Sequence, residues 1–323
     1  MFGTCPFERL AAIANPLLAL VPDGGMEGRA AALGAGTVLN ALATGTGAAF
    51  GIDVETRATV RLDPERESVS GTIAEDSDAD TTLIERCVAL ATERWGDGEG
   101  GRVRTDSDVP LAAGLKSSSA AANATVLATC DALGLTVGDG ADGREADETG
   151  DGNADPDVTR LEACRLGVRA ARDSGVTVTG AFDDASASML GGVCLTDNDE
   201  DRLRSREAVD WDVLVWTPPE RAYSADADVD RCGDVASMAD LVADLAADGR
   251  YAEAMSVNGL AFSAALDFDT DPAVEAMPLA SGVSLSGTGP SVVAVAAPDD
   301  PAADLDALAD RWADRPGTLR RTT

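Results

Sequence analysis

The stretch from Pro110 to Thr129, PLAAGLKSSSAAANATVLAT, decides how this chain is read. Gly114 opens backbone geometry that a side chain would forbid. The alanine-rich run from Ser118 to Leu133 predicts a helix on intrinsic propensity. Lys116, Ser117, Ser118 and Ser119 therefore fall where that helix begins. A helix start offers unpaired amide groups and the positive end of a dipole, and with three hydroxyls and a cation these make a seat for a polyanionic phosphate. A lone serine there would be an N-cap on an ordinary core helix; glycine, lysine and three serines together favour the anion site. The loop is not a Walker A loop, because GxxxxGK[ST] is missing.

Outward from that loop, the chain reads as mixed α/β. Val54, Thr56, Ala58, Val60 and Leu62 alternate as in a strand, and Thr81 to Trp95 carry apolar residues at helical spacing. After the Ser-rich helix, residues 136–157 (TVGDGADGREADETGDGNADPD) are nearly devoid of apolar side chains and read as a solvated acidic loop. A helix is expected from Val158 to Ser174, then a short β-like VTVT, a strand in WDVLVWTP, and a helical region around Ala239 to Phe262. A glycine turn leads into the apolar strand SVVAVA, and an edge helix is expected over Asp304 to Trp312. The opening 25 residues carry Glu8, Arg9 and Pro16 around a short apolar stretch, which suits neither a signal peptide nor a span of about 20 apolar residues. We read 1–25 as a non-native or disordered extension ahead of a true start at Met26, where a glycine-rich turn and a strand pattern begin.

Composition narrows the chemistry. The chain has 323 residues, ample for a core, and a formal net charge of -32, with Asp outnumbering Glu more than twofold and a single lysine at position 116. At molar salt the Debye length falls to roughly 3 Å and such repulsion is screened. The composition thus points to a salt-loving, archaeal cell and a cytoplasmic setting. No basic run is available to neutralise nucleic-acid phosphates, and no membrane partner is expected. Cysteines 5, 87, 130, 164, 194 and 232 show no metal-like spacing and read as reduced, buried hydrophobes. Histidine is absent, which removes Ser-His, Cys-His and His-metal mechanisms. Acid–base work must fall to carboxylates, Lys116 or hydroxyls.

Two further segments carry candidates. In TGAFDDASASMLGG, Asp183 and Asp184 form an acid pair inside a run of apolar and small residues, suited to orienting or deprotonating a hydroxyl in phosphoryl transfer. In SGTGPSVVAV, Gly287 and Gly289 flank Thr288 in a turn where backbone can approach backbone or ligand.

Taken together, these segments resemble the galactokinase, homoserine kinase, mevalonate kinase and phosphomevalonate kinase (GHMP) superfamily, whose phosphate loop reads PxxxGLGSSAA. The departure is Lys116 in place of a glycine. Within the superfamily, GLKSSSAA and TVLNALATGTGAAFGID (Thr37 to Asp53) look like the archaeal shikimate kinases, and the likeness runs from Met26 to the strand after Gly289.

The resemblance implies an α+β GHMP kinase fold: a ribosomal-S5-like N-terminal domain over 26–175 and a ferredoxin-like C-terminal domain over 176–323. It implies transfer of the terminal phosphate of ATP, with Mg²⁺, to a small hydroxylated metabolite, shikimate first. Homoserine kinase, another small-molecule kinase of the superfamily, or a catalytically silent nucleotide-binding regulator remain alternatives. The implied phosphate site runs through Pro110, Leu111, Ala112, Ala113, Gly114, Leu115, Lys116, Ser117, Ser118, Ser119 and Ala120, joined by Gly287, Thr288 and Gly289. The superfamily's catalytic Asp lies seven residues before a Gly-Gly pair, which gives Asp184, with Asp183 the other alignment. Its metal ligands correspond to Ser118 and, eleven residues ahead of Asp184, to Asp173. For the acceptor, Thr37, Asn40 and Thr179 are candidates; the arginines are too many to choose among, and the oligomeric state is open.

Overall fold

The structure, a computed structural model, describes residues 26–110, 113–140, 155–177, 179–220 and 228–323. The expected extension over 1–25 and residues 141–154 of the acidic loop lie outside them. Two long strands open the fold: β1 (Met26–Leu39) and β2 (Thr46–Asp63) pair antiparallel. β3 (Val69–Ile73), helix α1 (Thr82–Trp95) and β4 (Gly100–Ser107) follow, then α2 (Ser117–Ala132). β5 (Val137–Gly138) pairs in parallel with β6 (Val158–Thr159), so the acidic loop is tied at both ends. Helices α3 (Arg160–Asp173) and α4 (Phe182–Leu190) lead to β7 (Val193–Asp197) and β8 (Arg202–Glu207).

These strands form one sheet, in the order β3-β4-β2-β7-β8 with β1 also on β2. The expected domain boundary at 175 therefore does not coincide with the end of the first sheet. Residues 182–207 still pack on it, because Phe182, Ala185, Ala187 and Leu190 share a core with α1, α2 and α3. The anticipated β-like VTVT is a different matter. Val176 and Thr177 lie in irregular chain, and Gly180 at φ 90 with Ala181 at φ 48 turns the backbone left-handed into α4.

The second sheet is antiparallel. β9 (Asp212–Thr217) is followed by α5 (Val229–Gly233), α6 (Ala236–Ala247), α7 (Tyr251–Ala265) and α8 (Asp271–Ala276). The strands β10 (Gly282–Leu285) and β11 (Val292–Ala296), the helix α9 (Leu305–Trp312) and β12 (Thr318–Thr322) complete it, in the order β10-β11-β9-β12. The helical region expected over 239–262 is thus two helices, broken where Gly249 takes φ 74. One core joins the sheets through α6 and α7: Val38, Phe50 and Val193 meet Val215, Met255 and Phe262. The far face of the second sheet is closed by Leu305, Leu308 and Trp312, so α9 is anchored by burial and is no loose edge.

The helix that carries the phosphate loop lies at the centre of the first lobe. One set of its small side chains (Ala122, Val126, Cys130) enters the core beneath α1, α3 and α4. The other set (Ala124, Ala128, Ala132) enters the core against β1, β2 and β4. The alanine-rich sequence suits this double burial, since a bulky side chain on either face would hold its neighbours apart. Contact is closest at Gly28 of β1, where an added Cβ would stand 2.2 Å from the Ala128 carbonyl oxygen. The expected glycine turn at the start is therefore a strand, its glycine a point of close approach.

The described cysteines are all buried and unpaired; Cys5 lies outside the described residues. Burial pushes the thiols of Cys130, Cys164 and Cys194 up to about 12, which keeps them protonated and inert. Among the described residues no helix is long and apolar enough to cross a membrane. Gly28→Ala drives a methyl into the backbone of α2, and we expect it to lower unfolding stability by about 2 kcal/mol. Denaturant titration at high salt reads this, and an unchanged midpoint would refute the close approach.

Candidate active site

Two helix starts meet over one cleft of about 680 Å³. The first is α2. Its N-cap is Lys116, in the left-handed region at φ 66, and no side chain caps it. The first intrahelical bond is Ala120 N–H to the Lys116 carbonyl, at 3.0 Å, so the amides of Ser117, Ser118 and Ser119 precede any helical acceptor. All three serines line the cleft, and Ser118 is exposed. The second start is α4, with Ala181 as its uncapped N-cap and Asp183 and Asp184 in its first turn, where the dipole favours negative charge. Buried Asn123 of α2 donates to the Ala185 carbonyl of α4 at 2.9 Å and fixes one helix against the other.

Lys116 and Asp184 close the gap between them. The ammonium stands 2.8 Å from Asp184 Oδ1, with the side chains 6% and 16% exposed. The contact is an ion pair without the alignment of a hydrogen bond. A left-handed conformation costs a non-glycine residue roughly 1–2 kcal/mol, so a glycine would be the relaxed choice here. The strain at Lys116 buys the position of its ammonium.

Asp183 is differently placed. It is 4% exposed, and its Oδ1 accepts from Asn198 Nδ2 at 2.7 Å while its own N–H donates to Asn198 Oδ1 at 3.1 Å. It packs under β2 at Gly47, where an added Cβ would lie 2.6 Å from its carboxyl carbon. Burial, and then the neighbouring Asp184 charge, raise its pKa well above the usual carboxylate range, against the pull of Lys116 and Asn198.

The glycine turn completes the cleft. Gly114, at φ 80, passes so close to the turn that a Cβ would meet the Ser286 carbonyl oxygen at 2.2 Å. Ser286 Oγ donates to the Gly114 carbonyl at 2.8 Å, and the Ser291 N–H donates to the Ala113 carbonyl at 3.3 Å. Gly287 and Thr288 line the cleft with Gly114; Gly289 packs against Phe268. Leu115 and Ala120 are core residues, 1% and 0% exposed, that hold the loop without facing the cleft. Pro110 and Ala113 line an adjoining cavity of about 610 Å³ with Glu75, Thr217 and Pro219. Leu111 and Ala112 lie outside the described residues.

Asp173 departs from expectation. It does not border the cleft: Arg86 of α1 engages its carboxylate through Nη2 at 2.6 Å and Nε at 2.8 Å. The last turn of α3 points this side chain at α1, so counting along the chain misplaced it. Thr179 does border the cleft, with its carbonyl held by Arg172 Nη2 at 3.1 Å; Arg172 is itself paired with Asp201 at 2.6 Å. Thr37 and Asn40 also border it, but Thr37 Oγ and Asn40 Nδ2 close on Gly287, and Asn40 Oδ1 accepts from the Leu42 N–H.

Sequence reasoning passed over Asn198 and the aspartates of the loop before α1. Asp76, Asp78 and Asp80 join Asp183 and Asp184 around the cleft, and Lys116 is the one cation among its described lining residues. In a chain so rich in Asp, nothing in the sequence marked these three out.

Two helix starts, one carrying free amides and hydroxyls and the other a carboxylate, over a glycine-lined cleft define a small-molecule kinase. The family described as "GHMP kinases N terminal domain" matches residues 82–192. The chain is 61% identical over 298 residues to a protein of Halobacterium salinarum named shikimate kinase, covering 92% of this chain and 97% of that one. It is 47% identical over 275 residues to the Methanosarcina mazei protein of that name, covering 85% and 87%. In fold it matches homoserine kinase from Cytophaga hutchinsonii with a TM-score of 0.63 at 14% identity, over 95% of this chain and 97% of that one. The chain belongs to the GHMP kinases, within the family of these shikimate kinases, and as a kinase it uses ATP and a small-molecule acceptor.

Two measurements check the electrostatics. In a double-mutant cycle, Lys116→Met and Asp184→Asn should couple by about 1–3 kcal/mol in unfolding free energy, and additive effects would deny the ion pair. Asp183 supplies the second. Its native pKa lies above the ordinary value of 3.8, so the native carboxyl binds a proton that the unfolded chain has released. Its contribution to stability therefore falls as pH rises through that window. Asp183→Asn, which keeps an oxygen for Asn198, should gain in melting temperature over the parent between pH ~4 and ~8. A constant difference would contradict the raised pKa.

Proposed function

We propose that this chain is an ATP-dependent shikimate kinase, converting ATP and shikimate to ADP and 3-phosphoshikimate. The observation that carries the reading is Lys116 bridging the phosphate-loop helix to Asp184 at 2.8 Å inside a cleft that Ser118 also lines. The identity of 61% over 92% of the chain to the Halobacterium salinarum shikimate kinase supports the choice of acceptor.

In this reading the triphosphate rests on the amides of Ser117, Ser118 and Ser119 and against Lys116. Asp184, at the cleft surface, orients the 3-hydroxyl and takes its proton as the oxygen attacks the terminal phosphorus and the bond to ADP breaks. Asp183, buried and bonded to Asn198 through its carboxyl and its N–H, holds the first turn of α4 in place. The irregular chain over 174–177, with Thr179 and Gly180, faces the acceptor.

The cleft also fits Mg²⁺. Asp76, Asp78, Asp80 and Asp184 against one lysine among its described lining residues would repel a naked triphosphate, so its charge must be neutralised on entry. Mg²⁺ takes few protein oxygens and keeps phosphate and water for the rest, and the exposed Ser118 hydroxyl at the helix start can supply one. When bound, the ion neutralises charge on the phosphate oxygens.

A coupled ADP-release assay at high salt, with shikimate, homoserine and mevalonate in parallel, tests the reading. We expect turnover with shikimate, reduced in Asp184→Asn by about 10²–10⁴-fold with little change in ATP binding. Turnover with homoserine alone would move the chain to that activity. Nucleotide binding without turnover on any acceptor would make it a regulator.

A further inference from the structure

Both backbone polar groups of Gly287 are held by the end of β1 and the residue that follows it. Its N–H donates to Thr37 Oγ at 2.8 Å, and its carbonyl accepts from Asn40 Nδ2 at 2.8 Å. Asn40 is held in turn by Asn258 of α7, whose Oδ1 accepts the Asn40 N–H at 2.9 Å. The Asn258 side-chain nitrogen donates to Ser284 Oγ of β10, also at 2.9 Å. Thr37, Asn258 and Ser284 are 1%, 0% and 0% exposed. An asparagine on this face of α7 has no solvent to satisfy it, and it spends its amide on both lobes.

The turn so gripped touches the phosphate site twice. Ser286 donates to Gly114 of the loop, and Gly287 is packed against Lys116, whose Nζ would stand 2.8 Å from an added Cβ. A shift of the turn therefore moves the loop backbone and the ammonium together.

We propose that Thr37, Asn40 and Asn258 are positioning residues for the nucleotide half of the site, acting through Gly287 on Gly114 and Lys116. This rests on the kinase reading and replaces the acceptor role expected for Thr37 and Asn40. The network spans both lobes: Thr37 and Asn40 supply the grip, α7 the anchor, and the glycine turn transmits position to the loop. Because each member is buried and hydrogen-bonded, loss of one strands its partner and lets the turn relax.

Calorimetric titration with ADP and magnesium chloride, without acceptor, is the test. Thr37→Val keeps shape and removes the oxygen that accepts from Gly287; Asn258→Leu removes the anchor. Each is expected to weaken ADP binding about tenfold, the effect of one buried hydrogen bond, with the shikimate KM little changed. Thr37→Ser, which returns the hydroxyl, is expected to recover most of the affinity. If Asn258→Leu does not fold, Thr37→Val and its serine rescue decide alone. A lower melting temperature with unaltered ADP affinity would mean a merely structural role and overturn the proposal. So would a raised shikimate KM with unaltered ADP affinity. Failure of the unaltered chain to bind ADP overturns the kinase reading and this inference with it, whereas equal binding by parent and variants overturns this inference alone.

Discussion

The ion pair between Lys116 and Asp184 is the constraint on which the site depends. Each partner sits at the start of its own helix, and each helix is set by the first sheet and by the buried Asn123 bond between them. The left-handed backbone at Lys116 makes sense only in that light. A residue that pays about 1–2 kcal/mol to occupy a glycine's place is kept for its side chain. The ammonium it delivers is the one positive group among five carboxylates in the described lining. Breaking such a pair by removing one partner costs more than the pair gains over solvent, because the survivor stays poorly hydrated.

The two aspartates show how neighbours in sequence acquire different chemistry. Consecutive positions on α4 point about 100° apart. One turns under β2 into Asn198 and the gap at Gly47; the next turns into the cleft and meets Lys116. Burial pushes the first toward its protonated form, which eases the repulsion between two carboxyls on one turn. The sequence left Asp183 and Asp184 as alternatives because a doublet has no inherent inside and outside. The surrounding helix supplies the distinction.

Much else was legible in the residues. The Ser-rich helix start, the alternation through β2 and the apolar run of β11 follow from local propensity and period, which the chain carries in itself. What was not legible depended on contacts between distant segments. Asp173 looked like a ligand by counting along the chain, but the rotation of α3 gives it to Arg86, a partner 87 positions away. Thr37 and Asn40 line the cleft, yet their partner Gly287 lies 250 and 247 positions on. Asn258 had a faint signal, a polar amide in the mostly apolar run MSVNGLAF, though only the fold shows what it holds.

The charge of the chain and the charge of the cleft are then one problem at two scales. Over the whole surface, -32 is tolerable when salt screens separations beyond a few ångströms. Inside the cleft screening is weaker, and an anionic tail must be met by groups that belong to the protein. Free amides suit this role because they carry partial positive charge without a counterion and cannot be neutralised by the surrounding aspartates. A chain with a single lysine can still offer an anion donors, because backbone amides carry the partial charge and Lys116 adds one cation at the same helix start. On the positioning role proposed above, the glycine turn and the buried amides that grip it serve binding as well as fold.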